Sequence, residues 1–265
     1  MHNFNYHRAA DVADAAAKLA ATDDPKLLAG GMTLLPTLKN RLAAPSDLID
    51  LALIGDLKGI SVEGNEVVVR AMTPHAVVAA SAEVQKALPA LAQLAGNIGD
   101  PAVRHRGTIG GSVANSDPAA DYPAACVGLD ATIVTNKRKI AADDFFQGLF
   151  ETALEPGEII TEVRFQIPDR AQYMKFRHPA SGYAVVGVMV AQYGSKARVA
   201  VTGAGPCVFR VAEMEAALEK SFAPASVANI KVSAEQLMGD IHCSAEYRAH
   251  LITVYARRAV EAMVG

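Results

Sequence analysis

The spacing of apolar positions changes several times along the chain, and each change marks an element. Between Asp11 and Ala21, Val12, Ala16, Leu19 and Ala20 recur at helical spacing, and Asp23-Asp24-Pro25 ends the pattern. Lys26-Leu27-Leu28-Ala29 is a short apolar run that stops at Gly30-Gly31, as a buried strand does. Thr33 is placed to cap a helix carrying Leu34, Leu35, Leu38 and Leu42, with Pro36 tolerated in its first turn. Asp47 to Leu51 is the next strand, which completes a strand–glycine turn–helix–strand unit. Gly59 to Val62 and Glu66 to Ala71 read as strands joined by a turn at Gly64-Asn65. Thr73-Pro74 opens a helix to Ala80, and Glu83 to Ala95 predicts another. Ala131 to Thr135 and Ile159 to Ile167 read as strands, joined through a helical turn near Asp143 to Phe150.

The texture changes near residue 170. Tyr183 to Tyr193 and Lys196 to Thr202 are long apolar strands around the turn Gly194-Ser195, and helices are expected over Arg210 to Glu219, Ser233 to Met238 and Ala245 to Met263. The expected division is therefore 1–170, with subdomains of about 1–55 and 56–170, followed by 171–265.

Composition narrows the function classes. With 51% hydrophobic and 20% charged residues, the chain can bury a core and is not a disordered segment. A net charge of −3 gives no basic field for nucleic acid or an anionic membrane, and the lack of tryptophan removes the best base-stacking side chain. No apolar run reaches the roughly 18 residues that span a bilayer. The opening segment has no signal-peptide core either, so a cytoplasmic chain is expected. Cys126, Cys207 and Cys243 are odd in number and lack CxxC spacing, so reduced thiols are expected rather than a disulfide framework or an iron–sulfur cluster. The histidines show no HxH or HxxxH spacing, and Ser112 lacks a GxSxG elbow, so neither a metal site nor a hydrolase triad is expected.

Two glycine-rich segments carry the candidate chemistry. The first is Ala29-Gly30-Gly31-Met32-Thr33, between a strand and a helix, where a missing side chain lets backbone approach a ligand and helix amides suit a phosphate. A tight turn without a ligand is the plain alternative. The second runs from Asn97 to Asn115. It reads as a functional loop, with Gly99, Gly107, Gly110 and Gly111 beside the donors Arg104, Arg106, Thr108, Ser112 and Asn115. The two arginines fit either a diphosphate or a solvated surface. Asp117 and Asp121 follow, and a carboxylate there can accept from sugar or ribityl hydroxyls. Neither segment is a Walker or GxGxxG sequence. The chemistry points to a diphosphate-containing cofactor held in a less common way.

Three features in order resemble one family: Ala29-Gly30-Gly31 with Leu34-Leu35-Pro36 and Lys39; Ile98-Gly99 through Arg106-Gly107-Thr108-Ile109-Gly110-Gly111-Ser112, Ala114-Asn115 and Asp117 to Asp121; and Lys175-Phe176-Arg177 with Tyr183 eight residues beyond the lysine. The chain resembles the medium, FAD-binding subunit of the molybdenum hydroxylases, the CO dehydrogenase- and xanthine dehydrogenase-like enzymes. The resemblance implies an α+β fold with a two-subdomain FAD-binding domain of the vanillyl-alcohol oxidase (PCMH) type, and a small C-terminal subdomain with an antiparallel sheet. It implies that both loops hold the FAD diphosphate and that Ala29, Gly30, Gly31, Met32, Thr33, Gly99, Thr108, Ile109, Gly110, Gly111, Ser112 and Asn115 bind the cofactor, with Thr108 and its neighbours lining the flavin site. It further implies Asp121 on cofactor hydroxyls, Ile160 or Ile159 packed on the ring, Lys175 on the cofactor, and Tyr183 at the isoalloxazine face. The implied partners are a small subunit with two [2Fe–2S] clusters and a large molybdopterin subunit, as a dimer of heterotrimers that delivers electrons to an external acceptor. A self-sufficient flavin oxidoreductase of the same fold and a nucleotide-binding regulatory protein are the competing readings.

Overall fold

A computed structural model describes all 265 residues, arranged around three sheets. The first is parallel and three-stranded, with β1 (Asn5–Arg8), α1 (Val12–Ala20), β2 (Pro25–Leu28), α2 (Leu34–Lys39) and β3 (Asp47–Asp50) in strand order β1-β3-β2. Asp11 caps α1 by accepting from the Asp14 amide at 2.7 Å, as the polar residue before an apolar-periodic run should. Strand β1 has no apolar alternation in Asn5-Tyr6-His7-Arg8, and it is specified instead by its backbone ladder to the buried β3.

The second sheet is antiparallel, in the order β4-β5-β10-β6-β7: β4 (Ile60–Glu63), β5 (Glu66–Arg70), β6 (Thr132–Thr135), β7 (Lys139–Ala141) and β10 (Ile160–Gln166). Six helices lie between β5 and β6: α3 (His75–Ala80), α4 (Ala82–Ala87), α5 (Pro89–Gly96), α6 (Pro101–Arg106), α7 (Ile109–Asn115) and α8 (Tyr122–Gly128). The single helix expected over Glu83 to Ala95 is two, because Leu88 leaves the helical region (φ −148°, ψ 66°) ahead of Pro89. The segment expected as a loop up to Asn115 holds α6 and α7, each capped by its own side chain, Asp100 and Thr108. Beyond β7, α9 (Ala142–Phe145) leads into the small hairpin of β8 (Phe146–Gly148) and β9 (Glu151–Thr152).

The third sheet, β11-β12-β13-β14, is antiparallel: β11 (Arg170–Arg177), β12 (Ala184–Tyr193), β13 (Lys196–Thr202) and β14 (Phe209–Arg210). Strand β12 is buried from Ala184 to Ala191, because α8 covers one face and α12 (Ala245–Val264) the other, while α10 (Ala212–Lys220) packs on the neighbouring β13, so β12 reads as an unbroken apolar run. Gly128 of α8 makes that packing close, since a Cβ there would meet Met189 at 2.5 Å. The helix expected over Ser233 to Met238 is a turn; α11 (Pro224–Val227) is the only short helix between α10 and α12. The architecture is α+β, and no helix is long and apolar enough to cross a membrane.

Candidate functional site

A cleft of about 480 Å³ opens where the first two sheets meet, walled by both glycine segments and closed at one side by Ser181 and Tyr183. The first segment enters from β2 and turns at Gly31, whose φ of +74° is the left-handed conformation that glycine tolerates. The Gly31 carbonyl accepts from the Leu35 amide at 3.0 Å and starts α2. The amides of Gly30, Gly31, Met32, Thr33 and Leu34 have no hydrogen-bond partner within the chain, and all five residues line the cleft. A row of open donors is left along its wall.

The second segment is different. Most of its amides are already used: Gly107 donates to Val103 O (2.7 Å), Ile109 to Thr73 O (3.1 Å), Gly110 to Ala71 O (2.8 Å) and Ser112 to Thr108 O (3.0 Å), while those of Gly99, Asp100 and Thr108 have no partner within the chain. Gly111 donates to the Thr108 hydroxyl at 3.2 Å, which caps α7. The absent side chain of Gly110 faces the end of β5, where a Cβ would stand 2.6 Å from Ala71 Cβ. That of Gly30 faces the second segment, where a Cβ would overlap the Arg106 carbonyl. The glycines at 30 and 110 therefore let backbone pack on backbone. Gly111, by contrast, has only side chains nearby, Thr108 Oγ1 at 3.0 Å and Ala29 Cβ at 3.5 Å. Arg104 donates to Ile98 O (2.9 Å) and Gly99 O (3.3 Å), and Arg177 to Gly99 O (2.7 Å), so both guanidiniums pin the 97–100 turn.

The cleft walls hold more acid than base. Lys26 is the one lysine or arginine among the lining residues, against Asp100, Asp117, Asp121 and Glu158. Arg138, at 2.9 Å, holds the Glu158 carboxyl down to about 2, with help from the Glu155 amide and the Thr135 hydroxyl. Burial pushes Asp117 above the usual carboxylate range. Burial, and next the charge of Arg104, lower His75 to about 4, so the imidazole is neutral at pH 7. Its Nδ1 is buried without a partner, as is the hydroxyl of Tyr122, whose ring lies 5.3 Å from the His75 ring.

Residues 2–169 match the family described as the FAD binding domain in molybdopterin dehydrogenase. The chain belongs to this family. It is 36% identical to the carbon monoxide dehydrogenase medium chain of Afipia carboxidovorans, across 98% of this chain and 96% of that one. Among solved structures, the fold matches reconstituted CO dehydrogenase from Oligotropha carboxidovorans (TM-score 0.87, 35% identity, 98% of this chain and 96% of that one). It also matches quinoline 2-oxidoreductase from Pseudomonas putida 86 (TM-score 0.88, 28% identity, again 98% and 96%). The protein is thus an FAD-binding oxidoreductase subunit of the molybdenum hydroxylase type.

The cleft suits FAD on its own chemistry. Open amides take a diphosphate without a cluster of cations. Carboxylates on the walls accept from hydroxyl and ring N–H groups. Of the residues singled out in the sequence, Ala29, Gly30, Gly31, Met32, Thr33, Gly99, Thr108, Gly110, Gly111, Ser112, Asn115, Asp121, Ile160 and Tyr183 line this cleft. Two do not. Ile109 is fully buried in the largest core, because the first residue of α7 faces the sheet. Lys175 lies behind the wall, its ammonium 2.9 Å from Asp121 Oδ2 and 3.1 Å from Asn97 O. Burial outweighs their attraction, pushing the Asp121 carboxyl up and the Lys175 ammonium down. Sequence reasoning missed His75, a lone histidine at a helix start with no spacing signal, and Tyr173, whose hydroxyl meets Asp121 at 2.6 Å.

Proposed function

We propose that this chain is the electron-exit subunit of a hetero-oligomeric molybdenum hydroxylase. It would receive electrons from the [2Fe–2S] clusters of a small partner and pass them to an external acceptor, while a large molybdopterin subunit oxidises the substrate, the whole assembling as a dimer of heterotrimers. We assign FAD binding to residues 1–170, with subdomains of about 1–55 and 56–170, and the closing flank of the site to residues 171–265. The observation that carries the reading is the row of five unpartnered amides from Gly30 to Leu34, on residues that line a cleft whose charged side chains are mostly acceptors. FAD, when bound, supplies the redox chemistry. The protein's residues do the rest. The first segment binds the diphosphate through its backbone. Gly99, Thr108, Ser112 and Asn115 line the adjoining wall, and Asp121 receives hydroxyl or ring N–H donors. Ile160 and its buried neighbour Ile159 give one stretch of the cleft an apolar wall, which excludes water there. Tyr183, half exposed at the rim, covers the open side.

Anaerobic flavin bleaching tests the division of labour. The isolated chain, loaded with FAD, is expected to stay oxidised when offered CO, purines, aldehydes or N-heterocycles, and to bleach with dithionite. Bleaching by substrate is expected only after the molybdenum and iron–sulfur subunits are added. Substrate bleaching in the lone subunit would instead establish the self-sufficient flavin oxidoreductase.

A further inference from the structure

Strand β11 presents Tyr173, Lys175 and Arg177 at alternate positions, hence on one face of the third sheet. All three reach the back of the cleft wall: Tyr173 to Asp121 Oδ1 (2.6 Å), Lys175 to Asp121 Oδ2 (2.9 Å), and Arg177 to Gly99 O (2.7 Å). The same sheet grips the residues just before Asp121. Thr202 Oγ1 donates to Pro118 O (2.9 Å) and lies 2.7 Å from Ala120 O, Gly203 N donates to Pro118 O (2.7 Å), and Ala184 N donates to Ala119 O (3.2 Å). Tyr173 itself occupies a notch in the sheet. A Cβ on Gly187 of β12 would overlap the Tyr173 hydroxyl and stand 2.9 Å from the ring carbon that bears it. A glycine inside a strand weakens the strand, and its place in a sheet is where something must come close. Here that is the Tyr173 hydroxyl.

We propose that Tyr173, seated in the notch left by Gly187, is a positioning residue of the FAD site, where its hydroxyl and the Lys175 ammonium together fix the orientation of the Asp121 carboxylate at the cleft wall. The proposal rests on the FAD reading of the cleft. Asp121 is 3% exposed and Tyr173 4%, so no bulk water replaces a lost donor. With one donor on each oxygen the carboxylate is held in one orientation, and it keeps lone pairs that can accept from a ligand in the cleft it lines. Burial works against the ionised form of Asp121, and the Tyr173 hydrogen bond works for it. The groups that act on this carboxylate are Lys175, Tyr173 and Arg177 from β11, while Tyr122 of α8 and Tyr183 ahead of β12 feel its charge.

The test uses the full-length chain and FAD titrations followed by flavin fluorescence between pH 5.5 and pH 8.5. Tyr173→Phe keeps the ring and removes one hydroxyl. It is expected to raise the FAD Kd about tenfold at pH 7, the order expected for a hydrogen bond to a charged group. The loss should grow toward low pH, because a carboxylate short of a donor protonates more easily. In an Asp121→Asn background the same change is expected to add less than about twofold, since residues that act through one another are not additive. Gly187→Ala, which displaces the hydroxyl from the other side, is expected to reproduce the loss. Wild-type affinity and pH profile in folded Tyr173→Phe or folded Gly187→Ala would overturn the positioning role, as would an undiminished loss in the Asp121→Asn background. Failure of the wild-type chain to bind FAD at all would remove the cofactor reading, and this proposal with it.

Discussion

Gly30 and Gly110 line one cleft, and the atoms against them differ. Behind Gly30 is the main-chain carbonyl of Arg106, in the other glycine segment. Behind Gly110 is Ala71, at the end of a core strand. The first segment rests on the second and leaves its own amides from Gly30 to Leu34 open, whereas the second gives most of its amides to helix caps and to Thr73 and Ala71. In the sequence the second segment looks like the richer anion cradle, with more glycines and more side-chain donors. In the fold it is mostly scaffold, and the plainer diglycine turn holds the longest unbroken row of open donors. Glycine content alone therefore does not locate a phosphate site. What matters is whether the amides next to the glycines are already taken.

The largest effects should separate these roles most sharply. Gly30→Ala drives a methyl into a backbone carbonyl that cannot rotate away, so the two segments must part. A loss of about 3 kcal/mol in urea unfolding of the FAD-free chain is expected. Gly110→Ala meets Ala71 Cβ at 2.6 Å, a side chain of one methyl that can be removed. It should cost about 2 kcal/mol, and Ala71→Gly in the same chain should recover part of that. If Gly110→Ala keeps full stability and loses only FAD, the second segment is a ligand cradle after all and the contrast fails.

A titration probes the same wall. Gly107 has no side chain because the His75 imidazole lies against it, a Cβ there falling 2.6 Å from Nε2, and the His75 amide donates to Gly107 O at 3.0 Å. The imidazole's pKa is about 6.5 when unfolded and is lowered to about 4 in the fold. A depressed histidine favours the folded state in its neutral form. Its contribution is fully present above pH 6.5, declines as pH falls from there, and is gone below about pH 4. The decline amounts to about 3 kcal/mol. Unfolding free energies from pH 7.5 to pH 4.5 should fall less steeply in His75→Leu than in the wild type. Equal slopes would mean that the imidazole is solvated in the fold.

How far these features could be read in advance depends on whether their cause is local. The apolar run of β12 and the helical spacing of α1 come from the chain's own pattern, and both were legible. Helix α7 was not, because Gly110, Gly111 and Asn115 disfavour helix. What holds it are the Thr108 cap, local but hidden among loop-like residues, and the Gly110 amide bond to Ala71, across the fold. Strand β1 was missed for a similar reason, since it is fixed by its ladder to β3. In the site, the contiguous glycine segments were visible as motifs. Tyr173 and His75 were not, because each matters through a partner distant in sequence: Asp121 lies 52 residues from Tyr173, and Gly107 abuts His75 only in the fold.

The smallest expected effect is the most direct test of how the first segment works. Met32 and Thr33 are both exposed, and neither side chain makes a capping bond to α2. Their side chains can be removed without disturbing Gly31 or the open amides, which belong to the main chain. Met32→Ala and Thr33→Ala should each change unfolding free energy by less than about 0.5 kcal/mol, as exposed substitutions usually do. Each should also shift the FAD Kd by less than about threefold, because the amide N–H groups proposed to take the diphosphate survive the change. Calorimetric FAD titration of the two variants beside the wild type measures this. A tenfold loss in either would mean that a side chain rather than the backbone holds the cofactor there. The first segment would then resemble the picture first drawn for the second, a set of side-chain donors punctuated by glycine.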